Sequence, residues 1–223
     1  MIRENLQTIF DEISSGNNLG EEITLVGAIK MQPAQTVNEA ISCGLVHVGE
    51  NKAQEFRDKD PFVDKSAIRH FFGRIQTNKL KYIVGKVFLI QSVDSLSIAQ
   101  GISTRSEKLG ITSNILIEIN VAGDENKGGI SLDNIKDFVN EVSNLPNIKI
   151  LGLMTILPES DNEEFLAPLF EKARQIYDQL KPIYNFKYLS MGMSGDYKIA
   201  IKHGSNMIRV GSKIFGQRDY GDK

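Results

Sequence analysis

Two short turns late in the chain gather the residue types that grip an oxyanion. They are Met191-Gly192-Met193-Ser194-Gly195-Asp196 and, thirteen residues beyond Asp196, Arg209-Val210-Gly211-Ser212. Glycine lets a backbone approach an anion closely, serine adds a hydroxyl, and a helix opening at each turn would aim unpaired N–H groups at phosphate oxygens. Far upstream, Lys30 follows the first apolar run, Thr24 to Ile29. A lysine over a partly apolar site loses solvation for its charged form, and the neutral amine then attacks aldehydes. Together, a phosphate grip and a distant amine describe a site for a phosphorylated aldehyde held as an imine. Either feature alone is weak, because glycine turns end many strands and a lysine at a strand end is commonly a surface charge.

Such residues need a frame that brings them together. Apolar residues Ile2, Leu6, Ile9, Phe10 and Ile13 recur at helical spacing and stop at Gly16, which predicts a leading helix. Eight short apolar runs then read as strands buried on both faces: Thr24 to Ile29, Val46 to Val48, His70 to Gly73, Val87 to Val93, Asn114 to Val121, Ile148 to Ile156, Tyr188 to Met191, and Met207 to Val210. Amphipathic segments such as Ser95 to Leu109 and Phe165 to Leu180 lie between them. Thr36 is expected to cap the helix after the first strand and Gly44 to end it; Ser131 and Asp133 are expected to open another, and Pro182 to close the long one. Alternating strands and helices give a parallel sheet, and eight units in one domain over residues 1–223 give an α/β fold, a single (β/α)₈ TIM barrel with an extra N-terminal helix. An open, doubly wound sheet is the competing arrangement.

In such a barrel the active site lies at the carboxyl ends of the strands, and phosphate commonly binds in the loops after strands seven and eight. Both serine-glycine turns fall there. Arg209 ends strand eight and points at the same mouth, or else makes an ion pair on the rim. Asn51, after strand two, is a candidate ring contact or a helix cap. His70 reads first as a satisfied structural histidine and second as a ligand contact. The three histidines show no HxH or HExxH spacing, so no metal site is expected.

Composition narrows the classes further. With 41% apolar and 24% charged residues and a formal net charge of −2, the chain reads as globular, with no general electrostatic reason to bind nucleic acid. Cys43 is the only cysteine, which excludes an intramolecular disulfide. Neither a signal peptide nor a membrane span of about 18 apolar residues is visible, so a cytoplasmic protein is expected.

Several blocks, in order along nearly the whole chain, resemble the pyridoxal phosphate homeostasis family, the YggS/PROSC type. They are Ala28-Ile29-Lys30, Val48-Gly49-Glu50-Asn51, His70-Phe71-Phe72-Gly73 with Gln76-Thr77-Asn78-Lys79, Ser92-Val93-Asp94-Ser95, Gly152-Leu153-Met154-Thr155, the MGMSGD block at 191–196, and Arg209 to Gly216. The resemblance implies a barrel like the amino-terminal domain of alanine racemase, binding pyridoxal 5′-phosphate (PLP) on Lys30 as an internal aldimine. It implies phosphate contacts from Ser194, Gly195, Gly211 and Ser212, Arg209 near the pyridine nitrogen, and Asn51 and Met191 as lining residues. It also implies partners: PLP itself, PLP-dependent apoenzymes and free amino acids, with the chain expected to be monomeric. Four positions depart from the family pattern: Ile29 before the lysine, Gln32 two residues after it, Arg74 after the strand-three glycine, and Arg69 before His70. These bear on affinity and release.

A two-base racemase needs donor and acceptor groups on opposite faces of the substrate carbon. In barrel-type alanine racemases the second base comes from a carboxyl-terminal domain, and this chain is expected to lack it. An arginine at the pyridine nitrogen also disfavours protonation there and makes the ring a poor electron sink. A non-catalytic carrier of the cofactor is therefore the expectation, with a low-activity amino-acid racemase as alternative and a cofactor-free interaction protein as a third class.

Overall fold

The computed structural model describes residues 1–124 and 128–216. Its strands are β1 (Thr24–Ala28), β2 (His47–Glu50), β3 (Ile68–Phe71), β4 (Leu89–Val93), β5 (Ser113–Asn120), β6 (Ile130–Ser131), β7 (Ile148–Met154), β8 (Tyr188–Met193) and β9 (Met207–Val210). Every pairing is parallel, and the ring runs β1-β2-β3-β4-β5-β7-β8-β9 and back to β1. The β4–β5 pairing closes the barrel and rules out the open sheet. The two-residue β6 pairs with β5 alone and adds nothing to the wall.

Helix α1 (Ile2–Ile13) precedes the barrel, and α2 (Ala34–Ser42), α3 (Ala53–Lys59), α4 (Leu96–Leu109), α5 (Ile135–Ser143), α6 (Glu163–Tyr184), α7 (Tyr197–Lys202) and α8 (Ser212–Phe215) surround it. Several boundaries differ from the sequence expectations. Thr36 lies inside α2, which starts one residue after Pro33; proline's fixed φ already starts the turn without a side-chain cap. Ser131 belongs to β6, and α5 opens after Asn134. Pro182 sits inside α6 instead of ending it. Beyond it, the Phe186 N–H reaches the Lys181 carbonyl and Asn185, at φ 55°, turns the chain out of the helix. After β3 comes only a 3₁₀ turn, Thr77–Tyr82. Among the described residues no helix is long and apolar enough to cross a membrane.

Strand alternation divides the interior into two compartments. Outward residues such as Phe71, Ile90, Ile117 and Met191 pack under the helices, with Phe170 and Tyr177 of α6. Inward residues Val26, Phe72, Leu89, Leu116, Leu151, Met154 and Met207 fill the barrel itself. Polar inward side chains, His70, Gln91, Ser190 and Arg209, share that interior with them and are buried.

At the amino-terminal face, Glu21 ties the approach to β1 to α6. Its carboxylate accepts from Lys181 at 2.8 Å, Arg174 at 2.9 Å and Asn17 at 2.9 Å. Burial alone would raise its pKa, but the three donors outweigh it and hold it at about 2. A folded pKa below the unfolded value of 4.5 means that the stabilisation is complete above that pH and fades as pH falls towards 2. After allowance for solvent screening, Glu21→Gln should cost about 1 kcal/mol at pH 7. Urea unfolding of both proteins across acidic pH should show that gap closing; a constant gap would contradict the assignment.

Candidate functional site

Seven of the nine residues singled out from sequence line one cleft at the carboxyl ends of the strands, with a volume of about 1210 Å³ open to solvent: Lys30, Asn51, Ser194, Gly195, Arg209, Gly211 and Ser212. Lys30 and Asn51 follow β1 and β2, Ser194 and Gly195 follow β8, and Gly211 and Ser212 follow β9. Because β1 pairs with both β2 and β9, these loops are neighbours around the rim. Amine and serine turns therefore share one mouth.

The two turns are joined directly. The Gly211 N–H donates to Ser194 Oγ at 3.0 Å, and within the first turn the Met193 N–H donates to an Asp196 carboxylate oxygen at 2.6 Å. The helices opening there are short, α7 and α8. Register slips between Ser190 and Met193, where Gly192 adopts φ 97°, so Met193 comes round to the cleft. Met191 does not reach it. It alternates with inward Ser190, points outward and is fully buried among core residues. His70 is also elsewhere, inside the barrel between His47 and Gln91 at 2.9 Å each.

Arg209 is 3% exposed at the inner end of the cleft. Its guanidinium donates to Ser190 Oγ at 2.6 Å and to the Thr155 carbonyl at 2.8 Å. Burial lowers its pKa to about 10, against the opposing pull of Asp196 and Glu118, and the group remains charged at neutral pH. Glu118 is raised to about 7 by burial and by Asp94, while Arg209 and Arg74 pull it down.

Two glycines shape the side of the cleft nearest Asn51. A Cβ at Gly49 would stand 2.0 Å from Phe72 Cε1, and one at Gly73 would stand 1.7 Å from the Asn51 carbonyl oxygen. Glycine at these positions lets the Phe72 ring lie across β2 and lets the loop after β3 run against the Asn51 backbone. Asn51 caps no helix, since α3 is preceded by Lys52. Its Oδ1 is buried and has no hydrogen-bond partner among the described residues.

A contact invisible to the sequence reading lies beneath Lys30. Fully buried Glu50 accepts from Lys59 Nζ at 2.7 Å, and the same ammonium donates to the Ile29 carbonyl at 2.6 Å. Glu50 also accepts from the Asn51 N–H at 2.8 Å, and the Met31 N–H donates to Glu55 at 2.9 Å. Backbone atoms on both sides of Lys30 are thus anchored to α3 and β2. Burial raises the Glu50 pKa, and Lys59 opposes the rise. Removing the cation strands a buried carboxyl, so Lys59→Met should destabilise the fold by about 3 kcal/mol. Chemical denaturation measures this; a loss below about 1 kcal/mol would place the pair among ordinary surface contacts.

The family described as alanine racemase, N-terminal domain, matches residues 26–219. A pyridoxal phosphate homeostasis protein of Aquifex aeolicus is 41% identical over 222 residues, covering 98% of this chain and 96% of the relative. Its counterpart in Escherichia coli K12 is 35% identical over 235 residues, covering 100% and 99%. Among solved structures, PipY of Synechococcus elongatus with PLP bound superposes with a TM-score of 0.86 at 28% identity, covering 97% of this chain and 100% of that one. An alanine racemase of Clostridium difficile shares the fold at a TM-score of 0.79 and 15% identity, and this chain covers 56% of it. With its barrel, its cleft and full-length relatives in agreement, the chain belongs to the alanine racemase N-terminal domain family and, within it, to the pyridoxal phosphate homeostasis proteins.

Proposed function

We propose that this chain binds PLP in the cleft and serves intracellular PLP homeostasis, taking the cofactor's aldehyde on Lys30 as a reversible Schiff base with loss of water. The observation that carries this reading is the shared mouth of Lys30 and the two serine-glycine turns, with a buried arginine at its inner end. The residues present fit the group. Ser194 Oγ and the Gly211 N–H lie 3.0 Å apart, so a phosphate oxygen bound there would take over the N–H that now donates to the hydroxyl, and a side chain atom at Gly195 would meet nothing within 4 Å, which leaves its backbone open to an anion. The unpartnered Asn51 Oδ1 offers an acceptor for the ring hydroxyl. The PLP-bound PipY structure and the homeostasis relatives support the same reading.

When bound, PLP supplies an electrophilic aldehyde and an electron-withdrawing ring. Arg209 limits the second property. A guanidinium that stays charged would donate to the ring nitrogen and leave it unprotonated, which would hold the ring back from carbanion chemistry while leaving imine exchange with other amines open. On this reading residues 1–223 act as one cytoplasmic, monomeric carrier that buffers PLP and releases it to apoenzymes or free amino acids. Substrate turnover is not its task.

Purified chain incubated with PLP should develop an imine absorbance band, and borohydride should fix the cofactor on the peptide containing Lys30. Lys30→Ala should lose the covalent adduct and the band. A chain that takes up no PLP defeats the proposal. Sustained, Lys30-dependent racemisation of alanine or serine in chiral analysis would favour the racemase alternative.

A further inference from the structure

A line of polar side chains crosses the barrel interior below the cleft. Arg209 donates to Ser190 Oγ at 2.6 Å, Ser190 Oγ donates to Gln91 Oε1 at 2.7 Å, Gln91 Nε2 meets His70 Nδ1 at 2.9 Å, and His70 Nε2 meets His47 Nδ1 at 2.9 Å. Arg209, Ser190, Gln91 and His70 are all buried, and the last three are fully so. Their residues come from β9, β8, β4 and β3, so the line spans the barrel rather than following one strand.

Its direction follows from donor counting. Arginine has only donors, so Ser190 Oγ must accept from it. The single hydroxyl proton then goes to Gln91 Oε1, which leaves the amide nitrogen to donate to His70 Nδ1 and to Met207 Sδ at 3.4 Å. A reversed amide would set its oxygen against the Met207 sulfur and give the Ser190 oxygen a second donor in place of an acceptor. His70 consequently carries its proton on Nε2 and passes that hydrogen bond to His47. Burial, with the neighbouring His47, pushes the His70 pKa down to about 3, so the ring stays neutral and the direction holds across ordinary pH.

We propose that Ser190 and Gln91 are positioning residues that act through Arg209, fixing the guanidinium plane so that its donors are presented rigidly to the cleft. Two N–H groups of Arg209 are pinned, to Ser190 and to the Thr155 carbonyl on β7's exit, and two pins on one planar group fix both its tilt and its rotation. Ser190 alone would be a weak pin because a hydroxyl rotates. Gln91 removes that freedom by taking the proton, and His70 in turn fixes the amide. For the cofactor, the consequence rests on the reading that the cleft takes PLP: an arginine held in one place keeps the ring nitrogen unprotonated, and a loosened one does not.

The test has two arms. In protein without cofactor, nitrogen-15 NMR should show His70 as the Nε2–H tautomer and slow hydrogen exchange for the Arg209 guanidinium. Ser190→Ala and Gln91→Met should each accelerate that exchange by roughly tenfold, the equivalent of one lost hydrogen bond to a charged group. Ser190→Thr, which keeps the hydroxyl, should restore it. In the presence of PLP, both variants should bind roughly tenfold more weakly. Their imine band should lose its protonated form at a lower pH than in the wild type, because a ring nitrogen that gains charge makes the neighbouring imine proton easier to lose. A shift of the band's pH midpoint separates positioning from simple loss of stability, which would lower the melting temperature alone. Guanidinium exchange unchanged in folded Ser190→Ala and Gln91→Met overturns the proposal. Faster exchange with no PLP uptake by the wild type leaves the positioning intact and rejects the reading of the cleft.

Discussion

A positive charge inside a closed barrel is the constraint around which this interior is arranged. Arg209 sits at 3% exposure, where an unpaired ion would be driven to neutralise, yet its pKa falls only to about 10. The compensation is distributed. Hydrogen-bond acceptors come from Ser190 and Thr155, and opposing charge comes from Asp196 and Glu118, which are themselves partly desolvated. These groups project from, or just beyond, three strands of the barrel wall, β5, β7 and β8, while Arg209 itself stands on β9. A buried arginine of this kind therefore depends on four neighbouring strands at once, because no two of them alone supply its partners.

The other end of the cleft solves a different problem. Lys30 extends from a loop, and loops are ordinarily the mobile part of a barrel. Here the preceding carbonyl and following amide are tied down by Lys59 and Glu55, and Lys59 is in turn neutralised by fully buried Glu50. Met31, at φ 62°, is an unusual conformation for a residue with a side chain, and its amide bond to Glu55 holds it there. The amine is thus anchored through backbone atoms on both sides, while the phosphate turns are anchored through each other by the Gly211–Ser194 bond. Two independent attachments to one rigid wall set the separation between amine and anion cradle.

The eight-strand pattern, the leading helix and the placement of both serine turns could be read from the chain because each depends on local periodicity or on glycine and serine at fixed offsets. Closure followed only from the count of eight units, with an open sheet still in competition, since it depends on β4 meeting β5 and no residue in either run announces its partner. Helix ends were less legible for a related reason. Thr36 and Ser131 have good capping side chains, but Pro33 starts one helix earlier and β6 claims the other residue. Met191 illustrates the limit at the site: a motif names six consecutive residues, whereas a strand sends alternate ones to opposite sides, and the slip at Gly192 brings Met193 to the cleft. The polar interior did leave a trace in the sequence. Gln91 interrupts Leu89-Ile90 and Ser92-Val93 at an inward position, and a glutamine buried in an apolar run needs partners on other strands.

The departures from the family pattern can now be ranked by what they touch. Ile29 is 5% exposed, shares a core cluster with Val37 and Ala40 of α2 and does not line the cleft. Arg74 is exposed and acts at a distance: burial raises the pKa of both Asp94 and Glu118, and the Arg74 charge opposes that rise. Gln32 makes a turn, its N–H donating to the Ile29 carbonyl at 3.1 Å, the same oxygen that Lys59 holds. That carbonyl therefore receives a charged donor from beneath and a backbone donor from the following turn. The conformation entering and leaving Lys30 is thus held at the backbone, and the part that position 32 plays in it is its N–H.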